Sequence, residues 1–366
     1  MENRDVTTSK ETPLLVFKGF MMGSADIIPG VSGGTMALIL GIYERLLNAI
    51  KSFNKNVVHH LFIFKFKEAF SEVHWRFLLA LAGGMVGAVL FFTKIVPLQV
   101  YMHTDPELIY GLFFGLILGS IYILYKATKS KKWTNILFLL AGIIVGFGIV
   151  TLVPANTSDS PWFVFITGSV AITAMIMPGI SGSYILLILR KYDYILSNIG
   201  QLGSNTSMEA LIVLIPFGLG ALTGLVLFSR ILSWLLDRFH TPTLMVLIGF
   251  LIGSLYVIWP YQERTYTEFE KVERLISVDS ELAQKLSKRK AVPKKPEYYT
   301  LGDTVTSKGK KMVEYVRVKR KMIASSPFIP YSFGDNRNAI DSRHFWSGII
   351  GMLTGILLVG GLERIR

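Results

Sequence analysis

An all-α integral membrane protein of two inverted repeats, each a re-entrant helical hairpin plus three transmembrane helices, with a small extracellular α+β insert, is the fold this sequence predicts. Three observations predict it. Six apolar runs approach twenty residues, a Pro-Gly-X-Ser-Gly motif occurs twice in segments too short to span a bilayer, and lysine and arginine cluster in the short loops of one side. The 366 residues are 51% hydrophobic and 17% charged, with a mean hydropathy of +0.47. Soluble domains of this length carry more charge.

The apolar runs are Phe77 to Pro97, Leu108 to Tyr125, Trp133 to Val153, Ala210 to Ser229, Thr243 to Pro260 and Phe345 to Leu362, each 18 to 21 residues long. At about 1.5 Å per residue each can cross a hydrocarbon core of about 30 Å. The residues before Leu14 are polar and the first apolar stretch is broken by Asp26 and Pro29-Gly30, which argues against a cleaved signal peptide. Cysteine is absent, so no disulfide or thiolate metal site is expected. The formal charge of +13 does not point to nucleic acid. Residues 262–343 hold 18 basic and 11 acidic residues, and the remaining basic residues flank spans, where they orient the chain.

Internal similarity gives the domain organisation. Gly19 to Ile50 (GFMMGSADIIPGVSGGTMALILGIYERLLNAI) matches Gly168 to Ile199 (GSVAITAMIMPGISGSYILLILRKYDYILSNI), and GLILGSIYILY (Gly115 to Tyr125) matches GFLIGSLYVIW (Gly249 to Trp259). The first repeat is expected over 1–160, the second over 161–261 and 344–366, with 262–343 inserted. Within the insert, Glu263 to Lys290 reads as helix and Tyr298 to Tyr315 as strand and turn.

Pro29-Gly30 and Pro178-Gly179 should break the first segment of each repeat, since proline removes a backbone donor and glycine admits left-handed backbone. Phe17 to Ile28 makes about 18 Å of helix and Met36 to Ile50 about 22 Å, so neither spans alone. Treating 17–50 and 163–199 as re-entrant hairpins puts seventeen basic residues in the short loops of one side and three (Lys94, Arg190 and Lys191) on the other. That is a positive-inside pattern, and an unwound single span would mix the groups. A hairpin plus three spans crosses an odd number of times, so the second copy is inverted. Both termini are then cytoplasmic and the insert lies outside.

Each motif begins the second half of its hairpin. Backbone N–H groups, serine and threonine hydroxyls and the helix dipole there make an anion site. The donors are Ser32, Gly33, Gly34 and Thr35 in the first copy and Ser181, Gly182 and Ser183 in the second, with Tyr184 replacing the threonine. Arg190, whose counterpart is Gly41, is the cation of the set. The plainer account is a tight Pro-Gly turn with serine capping a helix. Asp26 is the one acid inside an apolar segment, where a charge costs about 3 kcal/mol on insertion scales, so a functional role or a buried partner is the default reading. Its counterpart is Met175. Glu44 and Asp193 are equivalent between copies and are further acidic candidates, unless they merely reach an interface. The spaced glycines read as helix-packing positions. The six histidines are scattered, so no metal site is expected, and no cofactor motif or Walker A sequence is present.

At these residues the chain resembles the polyprenyl-phosphate transporter (PopT) family. GFMMGSADIIPGVSGGTMALILGIYERLL carries the likeness, with IMPGISGSYILLILRKYDYIL as its second copy. The resemblance covers the membrane portion and not 262–343. It implies a non-enzymatic protein of the bacterial cytoplasmic membrane that recycles undecaprenyl phosphate from outer to inner leaflet for cell-wall synthesis. Moving such a charge inward against the membrane potential calls for a coupling ion, proton or sodium, with Asp26 the leading acid. Two alternatives stay open. A small anion or ion could use the same tips. Membrane undecaprenyl-pyrophosphate phosphatases also combine inverted repeats with Pro-Gly-X-Ser, but with an arginine after the serine, where Gly33 and Gly182 stand here.

Overall fold

The computed structural model describes residues 5, 7–28, 32–128, 132–152, 154–155, 157–203, 206–287, 296–307, 310–330 and 342–363. In chain order the first half contains α1 (Thr12–Asp26), α2 (Gly33–Ile39), α3 (Tyr43–Lys51), α4 (Lys55–Phe62), α5 (Phe66–Glu72), α6 (Trp75–Lys94), α7 (Leu98–Thr104), α8 (Pro106–Ala127) and α9 (Thr134–Val150). The second contains α10 (Pro161–Ile176), α11 (Gly182–Ile188), α12 (Tyr192–Gly200), α13 (Ser207–Arg238), α14 (His240–Ile258), β1 (Gln262–Ser277), α15 (Glu281–Ser287), β2 (Glu297–Ser307), β3 (Lys310–Pro327) and α16 (Ser342–Glu363). Among the described residues, α6, α8, α13, α14 and α16 are long and apolar enough to cross a membrane, and α9 is a shorter apolar helix of 17 residues.

The chain forms two compact units, one of residues 1–95, 112–258 and 352–366, the other of residues 96–111 and 259–351. In the first, glycines let helix backbones touch, and several of these contacts recur between the two copies of the internal similarity. Gly19 of α1 lies against the Leu81 carbonyl of α6, as Gly168 of α10 lies against Phe217 of α13. Gly115 of α8 meets the Met352 carbonyl of α16, as Gly249 of α14 meets Leu139 of α9. Small residues at these crossings permit close van der Waals packing where no hydrophobic force drives helices together.

Helix directions follow from the same contacts. Gly19 sits beside Leu81 and Gly23 beside Met85, so α1 and α6 run parallel; Gly220 beside Phe165 and Gly224 beside Ser169 make α10 and α13 parallel as well. After α1 the chain turns back. Arg45 of α3 pairs with Glu11 at the start of α1 and lies 4.5 Å over the Phe77 ring at the start of α6. Lys51 of α3 donates to Ser233 near the end of α13 at 2.7 Å, and Glu44 meets His240 at the start of α14 at 3.3 Å. The second broken segment also returns to its origin. Lys191 pairs with Asp159, and Thr157 donates to the Leu189 carbonyl at 2.5 Å, both just before α10.

The second unit contains a three-stranded antiparallel sheet in the order β1-β3-β2, registered Glu270↔Val318 and Thr300↔Val316. Val313, Val316 and Val318 of β3 are buried, and Tyr299 stacks on Tyr315 with centroids 4.8 Å apart. Where the sheet is rooted, Tyr261 stacks on Phe345 and donates to its carbonyl at 2.7 Å, while Trp259 donates to the Phe328 carbonyl at 2.8 Å.

Three expectations change. Residues 262–277 form β1 rather than helix, and among the described residues of that stretch only 281–287 are helical, because pairing with β3 along the whole length of β1 overrides local helix propensity. The second half of each broken segment is two helices, not one. Gly41 (φ 68°) separates α2 from α3 and Arg190 (φ 50°) separates α11 from α12. The span expected over 210–229 is part of a 32-residue helix with Pro216 inside it.

Two outcomes are expected. Gly168→Leu should lower stability in detergent by about 1–3 kcal/mol through overpacking, whereas Gly148→Leu, whose new Cβ meets nothing within 4 Å, should leave it nearly unchanged; equal effects would contradict the packing account. In the sheet, Arg317 (2.7 Å) and Arg320 (2.7 Å) hold the carboxyls of Glu297 and Glu268 below their usual range. A depressed folded-state pKa contributes stability above the unfolded value of about 4.3 that is lost as pH falls through the folded one. Amide protection factors of β2 and β3 should therefore drop on acidification below about pH 4.3, and Arg317→Gln should flatten that dependence.

Candidate functional site

The two helix breaks meet. Ser32 caps α2, accepting from the Gly34 N–H at 3.1 Å, and its hydroxyl donates to the Met175 carbonyl at the end of α10 at 2.9 Å. Gly179, held at φ 85° behind Pro178, donates its N–H to the Thr35 hydroxyl at 2.9 Å. Tyr43 of α3 donates to the Ile176 carbonyl at 3.0 Å. Ser32, Thr35 and Tyr43 are each at most 2% exposed. Gly34 is where the two breaks come closest, since a side chain there would strike the Ile176 carbonyl.

Asp26, the last residue of α1, accepts from the Gly33 N–H through Oδ1 at 2.6 Å. A carboxylate beside these first amides of α2 is electrostatically favoured. Its other oxygen, Oδ2, is buried and has no partner among the described residues. The second copy differs. Gly182 packs on Ala171 and Met175, the Ser181 and Ser183 hydroxyls lie 2.7 Å apart, and Tyr184 turns away to donate to the Val150 carbonyl at 2.6 Å.

Ser32, Gly33, Gly34, Thr35, Asp26, Pro178 and Gly179 are thus brought together, with Ser181, Gly182 and Ser183 following in the same chain segment. Pro29 and Gly30 lie outside the described residues. Arg190 is not at the break; it ends the turn after α11, a full seven-residue helix from Ser181. Glu44 and Asp193 stand in the first turns of α3 and α12, exposed, with Glu44 beside His240. Tyr43 is the residue the sequence reading passed over. The signal was there, in the Tyr-Glu and Tyr-Asp pairs following each motif, but the counterpart Tyr192 is 37% exposed and nothing local tells the two apart.

A polytopic membrane protein whose two internal repeats touch through glycine-bearing, hydroxyl-lined helix breaks is the class this arrangement defines. The chain belongs to the undecaprenyl phosphate translocase-like family, which matches residues 22–275. It is 39% identical over 246 residues to a polyprenyl-phosphate transporter of Vibrio cholerae, an overlap covering 67% of this chain and 77% of the relative. It is 30% identical over 260 residues to a polyprenyl-phosphate transporter of Staphylococcus aureus, covering 67% and 85%. No solved structure matches it.

The three atoms nearest a Cβ at Gly33 all belong to Asp26, at 2.5 to 3.0 Å. Gly33→Ala should therefore destabilise the protein by about 1–3 kcal/mol, and Asp26→Ala should remove most of that penalty. A thermal-unfolding double-mutant cycle checks it; additive effects would contradict the Asp26–Gly33 contact.

Proposed function

We propose that this chain is a transporter, not an enzyme, that carries a polyprenyl phosphate such as undecaprenyl phosphate from the outer to the inner leaflet of the bacterial cytoplasmic membrane, returning the carrier to cell-wall synthesis. Residues 17–50 and 163–199 act as re-entrant hairpins entering from opposite faces, both termini are cytoplasmic, and the insert of residues 262–343 is extracellular. The observation that carries this reading is the meeting of the two breaks through Ser32, Thr35 and Gly179. Inversion is supported by α13: the base of the first hairpin touches its end at Ser233, while the second hairpin starts on α10, parallel to it and beside its first half. The relatives' names supply the substrate class.

In this reading the Ser32, Thr35, Ser181 and Ser183 hydroxyls and the amides of Gly33, Gly34 and Gly182 receive the phosphate when the tips part, while the prenyl chain stays in lipid. Arg190, at the base of the second hairpin, meets the headgroup on entry. Asp26 already holds the Gly33 amide, so a phosphate can take that amide only when Asp26 lets go; protonation or a bound sodium ion releases it. Moving a phosphate monoester of about −1.5 to −2 charges inward across 100 mV costs roughly 4 kcal/mol, and a cotransported cation offsets this. The Met175 and Ile176 carbonyls freed at the same time are the type of ligand that coordinates such ions at broken helices. Glu44 and Asp193, at the hairpin bases, serve as gating charges. A phosphatase is disfavoured because Asp26 occupies the space an arginine after Ser32 would need.

The test is reconstitution in vesicles with a labelled polyprenyl phosphate. Wild-type protein should speed leaflet exchange, further so with an imposed cation gradient, and soluble phosphate should not compete. Asp26→Asn should abolish the gradient response. A variant that keeps it would rule out Asp26 as the coupling group, and release of inorganic phosphate from the pyrophosphate lipid would return the phosphatase reading.

A further inference from the structure

The second unit holds a cation that no carboxylate among the described residues pairs with. Arg264, the third residue of β1, is half-buried with its guanidinium 4.5 Å from the centroid of the Tyr110 ring on α8. Its terminal nitrogens donate to the Gln262 and Pro260 carbonyls at 3.4 Å each, beyond the usual range. The buried Nε has no acceptor, and among the described residues no carboxylate pairs with Arg264. The acids on the neighbouring stretch of chain are engaged elsewhere, Glu107 with His344 at 3.1 Å and Asp105 with Arg343 at 3.8 Å. Tyr266, two residues on, lies with its ring 5.4 Å from His103.

Removing a charge from water without a counter-charge is costly, so a partly desolvated guanidinium with an idle N–H is an incomplete site. Its planar fork matches two oxygens of a phosphate, and Tyr110, itself hydrogen-bonded to Arg264, and Tyr266 can border an apolar chain while the Arg264 Nε is left for a ligand. We propose that Arg264 is the key residue of a second phosphate-monoester site, built from residues other than those of the helix breaks, which holds the headgroup of the lipid substrate at the root of the β-sheet. The site rests on the transport reading given above.

The experiment uses full-length protein in nanodiscs and three probes: a short-chain polyprenyl phosphate, the matching uncharged polyprenol and inorganic phosphate. Wild type should prefer the lipid phosphate to the alcohol. Arg264→Gln should weaken lipid-phosphate binding tenfold or more with no change for the alcohol, and Arg264→Lys, which keeps the charge but not the fork, should weaken it severalfold at a wild-type melting temperature. Unchanged lipid-phosphate affinity in either variant, provided it is folded, overturns the site and leaves Arg264 a packing residue on Tyr110. If wild type binds inorganic phosphate as tightly as the lipid, and Arg264→Gln abolishes both, the Arg264 site stands while the lipid-transport reading falls.

Discussion

Breaking a helix inside an apolar protein leaves backbone groups that have no water to turn to, and the core of this chain is arranged around that problem. An unsatisfied amide or carbonyl in hydrocarbon costs several kcal/mol. Here side chains of the first copy cover backbone groups of the second break, while Asp26 and Ser32 hold the first break's own amides. Ser32 and Tyr43 cover the carbonyls at the end of α10, and Thr35 takes the Gly179 N–H across 144 residues of sequence. The second break is therefore not self-sufficient, and glycine stands where the backbones meet at Gly34 and Ile176.

The pairing is not symmetric, although the helices around it are. The same glycine contacts recur between α1 and α6 and between α10 and α13, yet Asp26 faces Gly33 in one copy and Met175 faces Gly182 in the other. Thr35 bridges the breaks, while its counterpart Tyr184 points to Val150. The surrounding helices thus match while Asp26 and Thr35 make one break acidic and bridged, against Met175 and Tyr184 in the other. A site with unequal halves can respond differently to an anion approaching from each.

What could be read from sequence divides along physical lines. Helices were legible from length and apolarity, and the breaks from proline and glycine, because these act locally. The turn at Gly41 carried its own signal in the glycine; its equivalent at Arg190 carried none, since an arginine at positive φ is imposed by the surrounding fold. The charged stretch 262–277 has the i, i+4 spacing of a solvated helix, and only its partner fifty residues away on β3 decides for strand. Tyr43 and Arg264 share that difficulty. Tyr43 meets a long-range carbonyl and Arg264 has no carboxylate partner among the described residues, and neither fact leaves a mark on neighbouring residues.

The closed contact also limits how the proposed transport can proceed. Among the described residues, three hydrogen bonds of 3.0 Å or less between the breaks, each worth about 1 kcal/mol net, set a separation cost of a few kcal/mol, the gap across which a ligand can shift a two-state equilibrium. A phosphate arriving alone can replace the acceptors that Ser32 and Gly179 lose. It cannot replace the donors lost by the Met175 and Ile176 carbonyls, which would face its charge unpaired, and it meets the Asp26 carboxylate already on the Gly33 amide. An anion accompanied by a cation satisfies both sets at once. Coupling, on this argument, follows from the mixture of donors and carbonyls exposed when the breaks part, and would be needed even without a membrane potential.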